Sequence, residues 1–242
     1  MTMIASKLQS VQAQIADACQ KCGRHPTEVA LLAVSKTFPA QAVREAALAG
    51  QRAFGENYIQ EAVEKIAAVQ AMDDVPLLHW HCIGPIQSNK TKLVAQHFDW
   101  VHTVDRLKIA ERLNEQRPQG MAPLQVCIQV NVDAGVTKSG CTAEEAVALA
   151  HAIAQLPRLQ LRGVMCIPDP QPTDAAMLAV HQKVAAVMES LRQAGLPANV
   201  QLDTISLGMT ADMTTAIAAG STMVRVGSGI FGQRDYGTAT TV

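Results

Sequence analysis

A surplus of one charge, a long apolar run and a cysteine framework are all missing from this sequence. Each absence removes a class of protein. Lys and Arg number 20 and Asp and Glu 21, so the net charge is −1 at pH 7. No basic field is available to attract nucleic acid or an anionic membrane surface. No apolar stretch reaches the roughly 18 residues needed to cross a bilayer. The opening segment, MTMIASKLQSVQAQIADA, places polar side chains on every turn. It reads as an amphipathic helix and not as a secretory signal, so the chain is expected in the cytoplasm. The 6 cysteines lack a framework spacing, which fits buried, reduced thiols in that compartment. Cys19, Cys22 and His25 lie at three-residue intervals, but a zinc site needs four ligands and no matching second half follows. No metal is expected, and the segment reads as a helix end running into a loop.

What is present is a regular alternation. The chain is 48% hydrophobic over 242 residues, enough for a full core, and no linker, repeat or low-complexity tract divides it. A single domain over residues 1–242 is expected. Apolar β-type runs are VALLAVS, RAFGE, HWHCIG, WVHTV, LQVCIQVNV, LRGVMCI, DTISLG and TMVRVG. Helical patterns fall between them. Pro39 is placed to open one helix and Gly50 to close it. Asp105 is placed to cap RLKIAERLNEQ, and Thr142 with Glu145 has the capping-box spacing. Thr173 begins a long helix, and Gly220 stops the one before the last strand. Eight strand–helix units in this length fit a (β/α)8 TIM barrel with an extra N-terminal helix. A doubly wound open sheet, with five or six strands, leaves two runs unexplained.

Barrel chemistry sits at the C-terminal ends of the strands. Lys36 lies there on the first strand and Asn57 follows the second. His81, Gly84 and Gln87 follow the third, and Asn131 and Lys138 the fifth. Met165 and Cys166 end the sixth, Ser206 the seventh and Arg225 the eighth. Lys36 ends a run of Val, Leu and Ala, and apolar walls favour the neutral, nucleophilic amine. Facing it are two turns that read as a phosphate cradle: Ser206-Leu207-Gly208-Met209-Thr210, leading into a helix, and Gly227-Ser228-Gly229. A reactive lysine opposite a phosphate cradle is how pyridoxal 5′-phosphate (PLP) is held, through its aldehyde and its phosphate. Arg225 has two candidate partners, the phosphate and the pyridine nitrogen. Facing the nitrogen, an arginine that cannot give up its proton leaves the ring unprotonated and a poor electron sink.

Plainer readings stand beside these. A lysine at a strand end also snorkels, and glycines also serve tight βα turns. Arg225 could be half of a structural ion pair. His81 reads either as a rim acid–base group or as a packed histidine. Lys90 and Lys92 read as solvated helix lysines, and Lys138 as an exposed loop lysine or a second amine for PLP.

The segments AVSK, FGEN, HWHCIGPIQSNK, TKSG, SLGMTADM and GSTMVRVGSGIFG, in this order, resemble the pyridoxal-phosphate homeostasis proteins. These are single-domain relatives of the alanine racemase N-terminal barrel. The resemblance runs from about Met3 to Arg234. It implies PLP binding, a cytoplasmic role in maintaining the vitamin B6 pool, and no established turnover. It also implies site roles. Lys36 matches the imine lysine, and Ser206, Gly227 and Ser228 match phosphate ligands, with Met209 and Thr210 at the helix start. Arg225 matches the arginine facing the pyridine nitrogen, and Asn57 the asparagine near the ring. Thr210 replaces a frequent serine and keeps the hydroxyl. Phe38 stands where relatives often carry another lysine, so that second amine is not carried over.

Racemases place a tyrosine four residues after the lysine, where this chain has Ala40, and bring another tyrosine from a β-rich second domain. Here the tyrosines are Tyr58 and Tyr236, and the chain ends at Val242 soon after the eighth strand. No catalytic residue is therefore assigned and a monomer is expected, with PLP as ligand and apo-enzymes as transient recipients. A weak amino-acid racemase using Lys36 and His81 is the alternative. A Schiff-base aldolase acting on a sugar phosphate is a third.

Overall fold

In the computed structural model, which describes residues 2–133 and 139–233, each apolar run is a strand and the strands close on themselves. They are β1 (Ala30–Val34), β2 (Ala53–Glu56), β3 (His79–Cys82), β4 (Trp100–Val104), β5 (Leu124–Gln129), β6 (Leu159–Met165), β7 (Thr204–Ser206) and β8 (Met223–Val226). All neighbours pair in parallel, in chain order. Closure comes from β8 lying against β1, with Leu31 opposite Val224 and Ala33 opposite Val226. The (β/α)8 barrel expected from the alternation is the fold observed.

The helices are α1 (Met3–Lys21), α2 (Ala40–Leu48), α3 (Ile59–Gln70), α4 (Thr91–His97), α5 (Leu107–Gln116), α6 (Ala143–Ile153), α7 (Asp174–Gln193), α8 (Met213–Ala218) and α9 (Ser228–Phe231). The additional N-terminal helix is α1, which packs against α2, α8 and α9. Its buried stripe, Leu8, Val11, Ile15, Ala18 and Cys19, follows the helical period. Arg24, just beyond it, donates from Nη1 to the carbonyls of Ile217 and Ser221 at 2.8 and 2.7 Å. Those bonds tie the entrance of the chain to the end of α8.

Helix ends follow local chemistry in most places. Thr142 and Glu145 form the expected capping box on α6, and the Thr173 hydroxyl accepts from the Ala176 N–H at the start of α7. Two expectations shift. Pro39 is the cap residue preceding α2 and not a first-turn residue. Asp105 does not cap α5; Arg106 occupies that position, and the Asp105 carboxylate instead accepts from its guanidinium at 2.7 Å.

The main core lies between the sheet and the helices, among residues such as Phe54, Ile66, Phe98, Leu113, Leu124 and Leu161. A second, separate cluster is made of Leu32, Val34, Ile83 and Met223. Successive strand residues point to opposite faces, so these fall on the barrel's inner face. The same face of β8 carries Arg225, and that of β3 carries His81. The barrel interior is thus part apolar and part polar, and the polar part lies under the candidate site. Five of the cysteines are buried and Cys22 is exposed. Among the described residues no cluster of His, Cys, Asp or Glu could hold a metal ion, and no helix is long and apolar enough to cross a membrane.

Candidate functional site

A cavity of about 620 Å³ opens at the C-terminal ends of β1, β2, β7 and β8. Lys36, Asn57, Met209, Thr210, Arg225, Gly227 and Ser228 all line it, beside Val34, Phe38, Ile83 and Ile167. Of the cofactor-binding residues assigned from the sequence, all but Ser206 line it; His81, Gly84, Gln87, Asn131, Met165 and Cys166, also placed on that rim, do not. A smaller compartment of about 230 Å³ adjoins it and shares Asn57, Ile83 and Ile167 with it.

Lys36 lies two residues beyond β1, in a turn, and is half-buried. Phe38 stacks on Phe231 at 5.1 Å between ring centroids, giving that side an apolar wall. Asn57 follows β2, and its Oδ1 is buried with no hydrogen-bond partner among the described residues. A buried amide oxygen without a partner costs free energy, and here it belongs to a residue of the cavity wall. Gly84 makes Asn57's placement possible: a Cβ there would lie 2.2 Å from the Asn57 carbonyl oxygen.

The opposite wall is made of two turns. Gly208 has φ +94, and a side chain there would collide with Ala216. The turn it starts is longer than expected, since α8 begins only at Met213. Within it the Met209 N–H donates to Asp212 Oδ1 at 2.6 Å, so that amide is engaged rather than free. The other Asp212 oxygen meets His181 Nε2 at 3.1 Å. Burial pushes the Asp212 carboxyl up, but the bonds from His181 and Met209 outweigh it and hold it below its ordinary value. The second turn passes from β8 through Gly227 and Ser228 into α9.

Arg225 is buried at the cavity floor. Its Nη1 donates to the Ser206 carbonyl and hydroxyl at 2.7 and 2.8 Å, and its Nη2 to the Cys166 carbonyl at 2.9 Å. Burial lowers its pKa to about 10, which leaves it charged at neutral pH. Ser206 is fully buried, and its hydroxyl also meets His102 Nδ1 at 2.8 Å. His102 Nε2 meets His81 Nδ1 at 2.9 Å, and His81 stacks on Trp100. Burial lowers the His81 pKa to about 3 and holds His102 well below its ordinary value. Both are neutral at pH 7, and His81 belongs to this buried column and does not line the cavity. Of its two sequence readings, the packed histidine is the one observed. Gln87 and Lys92 are exposed. Lys138 and Tyr236 lie outside the described residues.

Sequence reasoning missed a buried lysine. Lys65, on α3, donates to the Ser35 carbonyl at 2.8 Å, to Glu56 Oε1 at 2.7 Å and to Glu61 Oε1 at 2.9 Å. Its only sequence mark is a Glu61–Lys65 pair four residues apart, the commonest pattern of a solvated helix face. His181, Asp212 and His102 were missed as well; each sits in an element whose pattern shows only that it is partly buried.

A half-buried amine, two glycine-containing turns and a fixed guanidinium surround one cavity of a parallel barrel, an arrangement whose chemistry suits an anionic, carbonyl-bearing ligand. The family model described as "Alanine racemase, N-terminal domain" matches residues 6–235. A Pseudomonas aeruginosa protein named pyridoxal phosphate homeostasis protein is 54% identical over 237 residues, covering 98% of each chain. The Escherichia coli protein of that name is 53% identical over 236 residues, covering 98% of this chain and 99% of its own. Among solved structures, PipY of Synechococcus elongatus with PLP bound superposes with a TM-score of 0.82 at 36% identity, over 95% of this chain and 100% of that one. An alanine racemase of Clostridium difficile shares the fold, with a TM-score of 0.70 at 16% identity, and 57% of its length is covered. The chain belongs to the alanine racemase N-terminal domain family and, within it, to the pyridoxal phosphate homeostasis proteins.

Proposed function

We propose that this barrel binds PLP at the cavity and serves in the homeostasis of intracellular PLP. The observation that carries the reading is the convergence of Lys36, Arg225 and the two turns on one cavity. PLP supplies an aldehyde, a phosphate and an electron-withdrawing ring. Lys36 supplies the amine that condenses with the aldehyde. The turns holding Met209 and Thr210, and Gly227 and Ser228, anchor the phosphate. Arg225 would face the pyridine nitrogen and Asn57 would lie beside the ring, both being residues of the cavity wall.

An arginine in that place keeps its proton, so it would leave the ring nitrogen unprotonated and its electron withdrawal weak. Racemisation needs an acid and a base on opposite faces of the substrate. His81 is neutral, buried and engaged with His102, and Tyr58 is exposed and not in the cavity wall. Among the described residues lining the cavity, none is a histidine, a tyrosine, a cysteine or a carboxylate. We read the protein as a cytoplasmic, monomeric PLP carrier that passes its cofactor to apo-enzymes, without turnover of its own.

The test is a titration with PLP followed by borohydride reduction and peptide mapping. The wild-type protein should become yellow, bleach on reduction and carry the adduct on Lys36. Lys36→Ala should lose the adduct while keeping weaker, phosphate-driven binding. An adduct on another lysine, with Lys36 unmodified, overturns the assignment. Sustained inversion of L-alanine, lost in Lys36→Ala, would establish the racemase reading instead.

A further inference from the structure

One ion cluster holds both neighbours of Lys36. Ser35, before it, is fully buried; its hydroxyl donates to Glu56 Oε1 at 2.6 Å and its carbonyl accepts from Lys65 Nζ at 2.8 Å. Thr37, after it, donates its N–H to Glu61 Oε1 at 2.7 Å. Lys65 joins the two carboxylates, so its three ammonium protons have three acceptors. The side chains of Lys65 and Glu56 are 4% and 0% exposed, while that of Glu61 is 37% exposed. Among the described residues, Thr37 is the one non-glycine with positive φ, at 68°. A β-branched residue avoids that region, and such strain persists only where the surroundings over-determine it. The surroundings here are the cluster, and the residue between its two attachment points is Lys36.

The geometry points to Lys65, acting through Glu56 and Glu61, as the positioning residue for the Lys36 amine. This rests on the reading of the cavity as a PLP site. When Lys36 condenses with an aldehyde, its nitrogen adds to the carbonyl carbon, a C=N bond replaces C=O, and the oxygen leaves as water. The amine must approach along a narrow path, and a misplacement of about 1 Å can cost 10²-fold. The cluster touches neither aldehyde nor phosphate. It therefore governs the condensation rate and leaves phosphate anchoring alone.

Two ligands separate these effects. PLP reports condensation through its imine absorbance. Pyridoxine 5′-phosphate has the same ring and phosphate but an alcohol in place of the aldehyde, so it reports anchoring only. Glu61 is the residue to change, because its partly exposed side chain can be truncated while Lys65 keeps Glu56 and Ser35. In stopped-flow mixing, Glu61→Ala should slow imine formation by about tenfold or more, with pyridoxine 5′-phosphate affinity within about twofold of wild type. Glu61→Gln keeps an acceptor for the Thr37 N–H and should restore the rate. An unchanged rate in Glu61→Ala overturns the inference and leaves the PLP reading intact. So does an equal loss of both ligands, which marks a general structural role. A wild-type protein that forms no imine, or a Lys36→Ala protein that forms it equally well, overturns the PLP reading and this inference together.

Discussion

Two buried polar clusters flank the cavity, and they handle charge in opposite ways. The one joining β1, β2 and α3 is ionic: Ser35, Glu56, Glu61 and Lys65, with the ammonium set between two carboxylates. The one joining β3, β4, β7 and β8 holds a single cation, Arg225, whose partners are two carbonyls and a hydroxyl, followed by two neutral histidines. Burial raises the Glu56 carboxyl, and the opposing pull of Lys65 and Ser35 leaves it still above its ordinary value. Burial lowers the Arg225 guanidinium, and no bonded carboxylate restores it. The first cluster spends its charges on backbone shape beside Lys36. The second keeps a guanidinium oriented and unneutralised at the cavity floor.

Removing the central cation should therefore hurt the ionic cluster more. Lys65→Met strands two carboxylates, one of them fully buried, and should cost about 3–5 kcal/mol of folding stability. Arg225→Met removes a desolvated charge and leaves only neutral acceptors short of a donor, at about 1–3 kcal/mol. Urea unfolding of the two variants gives both numbers. Equal losses would break the distinction between a compensated and an uncompensated cluster.

Acid should act on the histidine cluster first. Both folded-state values lie below the ordinary 6.5. The unfolded chain thus takes up protons that the native state refuses as pH falls below 6.5. Stability is fully present above that value and is lost downward, for His81 as far as about pH 3. His81 should contribute up to about 1.4 kcal/mol per pH unit, or about 2 kcal/mol by pH 5, and His102 should add a loss in the same direction. Urea midpoints at pH 7.5 and 5.0 test this, and His81→Gln should flatten the slope by one proton. A flat wild-type profile would mean that the histidines take up protons in the fold as readily as in the unfolded chain.

Between the clusters, Gly84 sets the distance from the loop after β3 to Asn57. An alanine Cβ would meet the Asn57 carbonyl oxygen at 2.2 Å and its Cα at 2.7 Å, both backbone atoms that cannot swing away. Gly84→Ala should cost about 1–3 kcal/mol and weaken PLP binding by displacing Asn57. A thermal melt and a PLP titration read the two effects. A stable variant with normal affinity would show that Asn57 is not held by this contact.

The strands were legible because a buried parallel sheet writes near-continuous apolar runs such as VALLAVS, and a rim position then follows from each run's end. Lys36, Asn57 and Arg225 reached the cavity on that logic. Thr142 and Thr173 were legible because a cap acts within a few residues. Asp105 was not, because a neighbouring Arg106 competes for its carboxylate. The start of α8 was misplaced because the Asp212 carboxylate holds the turn open to the Met209 amide. Lys65 and His102 were not legible at all. Their roles depend on partners distant in the chain, and a lysine on an amphipathic helix looks the same whether it faces water or an ion cluster.

Ser206 carries the smallest expected effect and the sharpest division. By resemblance it is a phosphate ligand. In the fold it is fully buried, with its hydroxyl between Arg225 Nη1 and His102 Nδ1, each at 2.8 Å. Arginine only donates, so the hydroxyl oxygen accepts from it, and a second contact with His102 uses the remaining capacity. Ser206→Ala deletes both contacts but leaves the Ser206 carbonyl bonded to Arg225. The stability loss should be about 0.5–1.5 kcal/mol. If Arg225 faces the ring nitrogen as proposed and the hydroxyl orients it, the bound PLP spectrum should shift, because the guanidinium would lose its place there. Pyridoxine 5′-phosphate affinity should stay near wild type, since the anchoring turns are untouched. If instead the hydroxyl binds phosphate, that affinity should fall while the spectrum of bound PLP is preserved. The two signals move oppositely under the two roles, so one variant and two titrations assign Ser206 to the column beneath the cavity or to its wall.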